Sequence, residues 1–144
     1  VIQFPYSMVN RSREDLLRKY HDKGVATMGY GSLGAGILTG AIRQLPQFEP
    51  GDARLGFYDF FVEPKFSRVM ELLKVLDKIA EQRHVPVAQV TINWTVQHDF
   101  INTSLTGVRN AREAVENTAA MAWQLTAEEI RMIDQAVYQL DAEC

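Results

Sequence analysis

The chain alternates short apolar runs with longer amphipathic segments. Val1 to Phe4 is an apolar run interrupted by Gln3 and stopped by Pro5, which has no N–H to give an interior ladder. This predicts a short strand. Asn10 or Ser12 is placed to cap a helix running through Lys23. Glu14 and Asp15 sit in its first turn, Arg18, Lys19 and Lys23 late, and Leu16, Leu17 and Tyr20 on its apolar face. Gly24 stops it, and a second strand, Val25 to Tyr30, follows at once. Strand, helix and strand within about thirty residues match the length of a right-handed βαβ unit.

The second strand runs straight into glycines. Met28 to Gly40 reads MGYGSLGAGILTG, with glycine at 29, 31, 34, 36 and 40. That punctuation predicts a strand ending in a loop that needs positive φ or close backbone approach. Strand ends of this kind are where α/β proteins bind ligands. Ala41 to Pro64 is then a long loop with Pro46, Pro50, Gly51, Gly56 and Pro64, and with Phe48, Phe57, Tyr58, Phe60 and Phe61. So long a loop in a compact domain is usually functional. Its aromatics suit either a lid or a packing plug.

Helical spacing returns over Lys65 to His84, carried by Phe66, Val69, Met70, Leu73, Leu76, Ile79 and Ala80. Val85-Pro86 breaks it, and Pro86 opens a helix over Val87 to Gln97. Phe100 to Gly107 is a third strand candidate, and Asn110 is placed to cap a helix over Ala111 to Met121. Thr126 and Glu129 have capping-box spacing at the head of a last helix reaching about Leu140. The order β-α-β-loop-α-α-β-α-α predicts a parallel sheet with helices outside. Three strands do not close a barrel, and a (β/α)8 barrel typically takes about 250 residues.

Composition narrows the class without naming it. The 144 residues are 47% hydrophobic and 23% charged, which is ordinary for one globular domain and excludes disorder. A net charge of −3 with no Lys/Arg block argues against nucleic acid as a partner. No apolar run approaches the ~18 residues of a membrane span. Cys144 is the only cysteine, so neither an internal disulfide nor a cysteine metal site is expected, and a cytoplasmic setting is. His21 and His98 are expected on amphipathic helices and His84 at a helix end, scattered singly and without metal-site spacing. The chain begins at Val1 and enters a core-type strand immediately, as expected of a trimmed start or a piece of something longer.

Five segments together carry a resemblance. They are Gln3-x-x-Tyr6-Ser7-x-x-x-Arg11; Gly24-Val25 leading to Tyr30-x-x-Leu33-x-x-Gly36-x-Leu38-Thr39-Gly40; Pro86-x-Ala88-Gln89-x-x-Ile92-x-Trp94; Gly107-x-Arg109-Asn110 with Glu116-Asn117; and Leu125-Thr126-x-Glu128-Glu129. In this order and spacing the chain resembles the C-terminal part of an aldo-keto reductase. The resemblance implies an α/β fold: a partial (β/α)8 TIM barrel, its last three β/α units (strands six to eight) plus extra helices, as a single partial domain over 1–144. It implies a nicotinamide dinucleotide, NADP or NAD, as cofactor and a small carbonyl substrate, with hydride transfer as the reaction.

Carried over residue by residue, Gln3 would hydrogen-bond the nicotinamide carboxamide, since an amide both donates and accepts. Tyr30 would stack beneath the nicotinamide ring. The backbone of Gly31, Ser32, Leu33, Gly34 and Gly36 would follow the pyrophosphate. Arg109 and Asn110 would lie near the adenosine ribose or its phosphate, and Glu116 and Asn117 at the adenine edge. Read without the resemblance, Gln3 is a polar strand end, Tyr30 a core aromatic, the glycines turn punctuation, and Arg109 a solvated or carbonyl-capping cation.

Two departures from the family matter. Ser32 stands where relatives often have proline. Glu113 stands where they usually have Gln or Arg, and a carboxylate there repels a 2′-phosphate but can accept from a free 2′-hydroxyl. Arg109 and the family habit point the other way, to NADP. The family's catalytic Tyr, Lys, Asp and His lie on earlier strands and are not among these residues, so no catalytic residue is assigned and the 144 residues alone are expected to be inactive. The sheet, with open edges and one apolar face left uncovered, is expected to pair with the missing barrel portion or to self-associate. Two other readings stand beside this one: a non-catalytic nicotinamide-nucleotide-binding regulatory subunit of the same fold, and the end of an unrelated phosphate-binding (β/α)8 enzyme.

Overall fold

The computed structural model describes residues 1–52, 54 and 56–141. The expectation built on Cys144 lies outside the described residues. Strands β1 (Ile2–Pro5), β2 (Thr27–Tyr30) and β3 (Thr103–Leu105) form a parallel sheet in the order β1-β2-β3. Around it stand α1 (Glu14–His21), α2 (Lys65–Arg83), α3 (Val87–Val96), α4 (Ala111–Thr118) and α5 (Ala127–Asp141). Short 3₁₀ segments occupy Gly34–Thr39, Asp59–Phe61 and Ala119–Ala122.

The register sets what each strand shows to each side. Gln3 pairs with Met28 and Pro5 with Tyr30; Met28 pairs with Thr103 and Tyr30 with Leu105. Paired residues of a parallel ladder share a face, and alternate residues switch faces. Ile2, Phe4, Thr27, Gly29 and Ser104 therefore turn towards the helices, where Thr27 and Gly29 are buried. Gln3, Pro5, Met28, Tyr30, Thr103 and Leu105 form the opposite face, which no helix among the described residues covers, and Gln3, Tyr30, Thr103 and Leu105 are exposed there. This bare face mixes polar and apolar side chains; it is not the apolar face expected of an uncovered half barrel.

Pro5 belongs to β1 as its last residue and does not precede the strand's end. The N–H groups of Ile2 and Tyr6 donate to the carbonyls of Ala26, just before β2, and Tyr30, at its end, at 2.9 and 3.0 Å. Pro5 lies one residue out of phase with them, so its missing donor faces the open edge of the sheet, where a proline is tolerated.

The core lies between the helix-facing side of the sheet and α1, α2, α3 and α5. Leu17, Val69, Leu73, Leu76, Ile79, Val90, Ile133 and Val137 are fully buried in it. On α2 the buried stripe includes Leu72, and Met70 is only half-buried, so the helix is rotated slightly from the sequence reading. His84 ends α2 in a left-handed conformation, φ 54°. The capping box appears as read: Thr126 N–H donates to Glu129 Oε2 (2.7 Å) and Glu129 N–H to Thr126 Oγ1 (3.2 Å).

Several boundaries moved. Neither Asn10 nor Ser12 caps α1, which opens at Glu14 after Arg13 without a side-chain cap. Asn10 Oδ1 instead accepts from the N–H and Oγ of Ser12, and Asn10 exchanges backbone bonds with Ser7, so both residues are spent on the turn before the helix. The helix ends at His21, with Gly24 at φ 73° just beyond. The third strand shortens to three residues, and the helix after Asn110 stops at Thr118 before a 3₁₀ turn. Pro86 is the N-cap of α3, in extended backbone, and does not enter its first turn.

Behind β1, Tyr6, Trp94, His98 and Phe100 form a ring cluster. The Tyr6 ring stacks parallel to Trp94 with centroids 5.9 Å apart, and His98 stands edge-on to Trp94 at 4.4 Å and stacked on Phe100 at 5.0 Å. Trp94 Nε1 donates to Asp134 (2.7 Å), Tyr6 donates to Glu14 (3.2 Å), and the Arg18 guanidinium lies 3.9 Å over Phe100. The His98 Nε2 is buried with no hydrogen-bond partner among the described residues. Burial lowers the His98 pKa, and the nearby Arg18 adds to this, against the pull of Asp134, Glu14 and Asp99.

A lowered folded-state pKa means the unfolded chain takes a proton that the folded chain refuses. Stability is therefore expected to hold above the unfolded value of about 6.5 and to fall as pH drops below it. Urea midpoints measured from pH 7.5 to 5 check this. In His98→Phe the fall over that range should flatten; an unchanged slope would assign the acid sensitivity elsewhere.

Candidate functional site

The candidate residues gather at the C-terminal ends of the strands and in the segments that follow. Gln3 and Tyr30 share the bare face, with Tyr30 one pair step further towards the C-terminal end. Tyr30 is 42% exposed and ends β2 between Pro5 and Leu105. It is not the core aromatic that its residue type alone suggests. The alternation of Thr27 and Gly29 inward with Met28 and Tyr30 outward places it there.

The glycine loop has two kinds of glycine. Gly31 (φ 72°) and Gly36 (φ 94°) would meet nothing within 4 Å with a Cβ added, so they serve backbone conformation alone. Gly34 (φ 55°) also sits where a Cβ would lie 2.9 Å from Val9 Cγ2, so the loop is pressed against the segment after β1. Ala35, at φ 52°, continues the left-handed kink. Ser32 is buried, and its hydroxyl lies 3.1 Å from Thr106 Oγ1. That contact ties the loop after β2 to the loop after β3. Where the sequence reading used only the backbone of Ser32, its side chain joins the two loops, and a proline there could not. Thr106 was missed because the pairing spans 74 residues and leaves no local pattern.

After β3, Asn110 caps α4 as read, its side chain accepting from Glu113 N–H at 2.9 Å. Arg109 is neither free nor capping a carbonyl. Its Nε and Nη2 donate to Glu113 Oε1 at 3.0 and 2.8 Å, and its N–H donates to Glu113 Oε2 at 2.9 Å. The guanidinium hydrogen bond holds the Glu113 carboxyl below the usual carboxylate range; the Arg109 side chain is exposed and Glu113 half-buried beside it. Glu116 is bound by Arg112 (2.7 Å), and Asn117 is half-buried on the same helix.

The aromatic loop resolves mainly into a plug. Phe60 and Phe61 are buried, with Phe61 edge-on to Phe48 at 5.1 Å and Phe60 stacked on Tyr58 at 5.0 Å. Arg54 lies 4.5 Å over Phe48 and is bonded to Asp52. Phe57 alone projects, 76% exposed. His98 belongs to the ring cluster behind β1 and not to an amphipathic helix face. Among the described residues no group of His, Cys, Asp and Glu is arranged to hold a metal, and no helix is long and apolar enough to cross a membrane.

Consecutive parallel strands with helices on one side and ligand-type loops at their C-terminal ends define an arc of a (β/α)8 barrel. A glycerol dehydrogenase of Gluconobacter oxydans has the same fold over 96% of this chain and 42% of its own, with a TM-score of 0.85 at 24% identity. The model of the aldo/keto reductase family matches residues 1–138, and the chain belongs to that family. An aldo-keto reductase of Strobilurus tenacellus is 29% identical over 136 residues, covering 92% of this chain and 40% of that protein. One of Bacillus subtilis is 28% identical over 135 residues with the same coverage. The chain thus spans about 40% of the length of these curated relatives. An unrelated phosphate-binding barrel is ruled out.

The two kinds of glycine are separable by mutation. Gly31→Ala should cost only the left-handed backbone term, roughly 1–2 kcal/mol. Gly34→Ala adds the overlap with Val9 and should cost clearly more, as read from urea unfolding. Equal losses would show that the Val9 contact relaxes freely.

Proposed function

We propose that these residues form the dinucleotide-holding part of an NAD(P)(H)-dependent reductase of aldehydes or ketones, able to run in reverse on alcohols. The observation that carries the reading is the shared bare face of Gln3 and Tyr30 beside two strand-end loops joined by Ser32 and Thr106. Tyr30 offers a ring of suitable exposure for a nicotinamide to cover, and Gln3, on the same face, offers its amide to the carboxamide. The kinked backbone of Gly31, Ser32, Leu33, Gly34 and Gly36 follows the pyrophosphate. Arg109 and Asn110 serve the adenosine ribose, and Glu116 and Asn117 the adenine edge. The bound dinucleotide supplies the hydride.

A proton donor at the carbonyl oxygen is also needed. The family's Tyr, Lys, Asp and His are not among these residues, so the 144-residue chain alone should show no turnover. NADPH-dependent reduction of a reactive aldehyde by this chain would sink that expectation. The bare face and the free edges of β1 and β3 call for further strands, from the rest of a barrel or from a second copy. Light scattering of the isolated chain should therefore show association; a well-behaved monomer would count against it.

Glu113 bears on which dinucleotide is held. A 2′-phosphate must pull the Arg109 guanidinium away from two hydrogen bonds to Glu113 and approach that carboxylate, whereas a free 2′-hydroxyl can donate to it. This favours NAD against the family's habit. Glu113→Gln should raise the affinity ratio of NADPH to NADH several-fold, measured by nicotinamide fluorescence. A ratio that stays put would remove Glu113 from cofactor choice.

A further inference from the structure

Helix α4 carries Glu113, Glu116 and Asn117, yet none of its residues is buried. Isolated helices shorter than about 12–15 residues are marginal in water, and α4 has eight. Helices in proteins are usually held by burying an apolar face, and α4 buries none. Its position must come from elsewhere.

It comes from a column of amides on α3. Gln89, Asn93 and Gln97 follow at i, i+4 and i+8, on one side of that helix and its cap. Gln89 Nε2 donates to the Glu116 carbonyl at 2.8 Å, and its Oε1 accepts from Trp123 Nε1 at 3.1 Å. Asn93 Nδ2 donates to the carbonyls of Ala120 (2.9 Å) and Trp123 (2.7 Å), and its Oδ1 accepts from Leu125 N–H (3.0 Å). Gln97 closes the column on both the N–H and carbonyl of Leu125, at 3.0 and 3.2 Å. Gln89 and Asn93 are 6% and 1% exposed. Burying an amide is unfavourable unless its hydrogen bonds are made, and both here make theirs.

Elsewhere on α3, Thr91 Oγ1 donates to the Leu38 carbonyl at 2.9 Å, at the end of the glycine loop. One helix therefore holds both strand-end segments, the loop after β2 through Thr91, α4 through Gln89, and the 3₁₀ turn that follows α4 through Asn93.

We propose that Gln89 and Asn93 are positioning residues for the dinucleotide: Gln89 holds α4 itself and Asn93 the turn that ends it, and together they set Glu113, Glu116 and Asn117 beside α3. The inference rests on the functional reading above and adds residues that touch no ligand. It concerns the adenosine end alone, since Gln3 and Tyr30 stand on the strands.

Gln89→Met keeps the side-chain length and deletes both of its bonds, leaving the Glu116 carbonyl unpartnered; Asn93→Leu deletes more and is the variant at risk of not folding. In the intact protein, Gln89→Met should weaken dinucleotide binding roughly tenfold, read by nicotinamide fluorescence. Adenosine monophosphate should weaken by the same factor and nicotinamide mononucleotide should not, by calorimetric titration. Amide exchange over residues 111–118 should quicken while β1 to β3 keep their protection. Wild-type binding by the variant, or equal losses for the two mononucleotides, would overturn the proposal. If the wild-type protein binds no dinucleotide, the functional reading fails instead; the amide column then stands or falls on whether exchange in α4 quickens.

Discussion

Side-chain alternation along three short parallel strands is the constraint from which the site follows. A slip of one residue in β2 would turn Tyr30 into the helices and bring Gly29 to the bare face. The register is held by a clasp at the strands' N-terminal ends. Thr27 N–H donates to Asn102 Oδ1 at 2.8 Å, Thr27 Oγ1 donates to the Phe100 carbonyl at 2.5 Å, and Asn102 N–H returns to the Thr27 carbonyl at 3.2 Å. Thr27 is buried, so breaking its bonds to shift register would leave its polar groups unpaired. The strand ends that carry the candidate site inherit their placement from a lock at the other end of the same strands.

Helix α3 has the second organising role. It is buried around nearly its whole circumference, including Gln89, Thr91, Asn93 and Thr95. Its apolar side chains Val90 and Trp94 join the core, while its hydroxyls and amides reach backbone groups that no regular ladder satisfies. Thr95 is satisfied within the helix, donating to the Thr91 carbonyl at 3.0 Å. Buried polar groups that are fully bonded specify one arrangement more sharply than apolar contacts do, because any other arrangement leaves them unpaired. Here that specificity falls on the connections, which are otherwise the least constrained parts of the chain.

The charged pairs behave differently. Arg109, just ahead of the Asn110 cap, pairs with Glu113, and Arg112 with Glu116 within α4; on so exposed a surface such pairs contribute little to stability. Their importance is in what they leave available to a ligand. Arg83 with Glu129 is better sheltered: the guanidinium fork and the Thr126 backbone hold that carboxyl down to about 2, so the pair fastens α2 to the head of α5 down to strongly acid pH.

Much of this was legible along the chain. The element order, the long α2, the Asn110 cap, the Thr126–Glu129 box and Gly24 as a stop all rest on interactions within about one helical turn, which local residue types determine. The five spaced segments pointed to the family for the same reason, each being a local motif. Two local choices stayed open because each residue has competing near neighbours: Asn10 serves a turn and not a cap, and Arg109 is claimed by Glu113. What the sequence could not decide at all rests on partners farther apart in the chain: that Phe60 and Phe61 are a plug, and that Ser32 bonds Thr106. Only the tertiary structure shows the amides of α3 reaching Glu116, Ala120, Trp123 and Leu125, because a side chain's hydrogen-bond partner is chosen by what folding brings beside it. For the stretch from Met28 to Gly40, the residues alone predicted a strand ending in glycines. Packing decided that Tyr30 faces outward at its end, beside a loop pressed on Val9 and tied to the next strand.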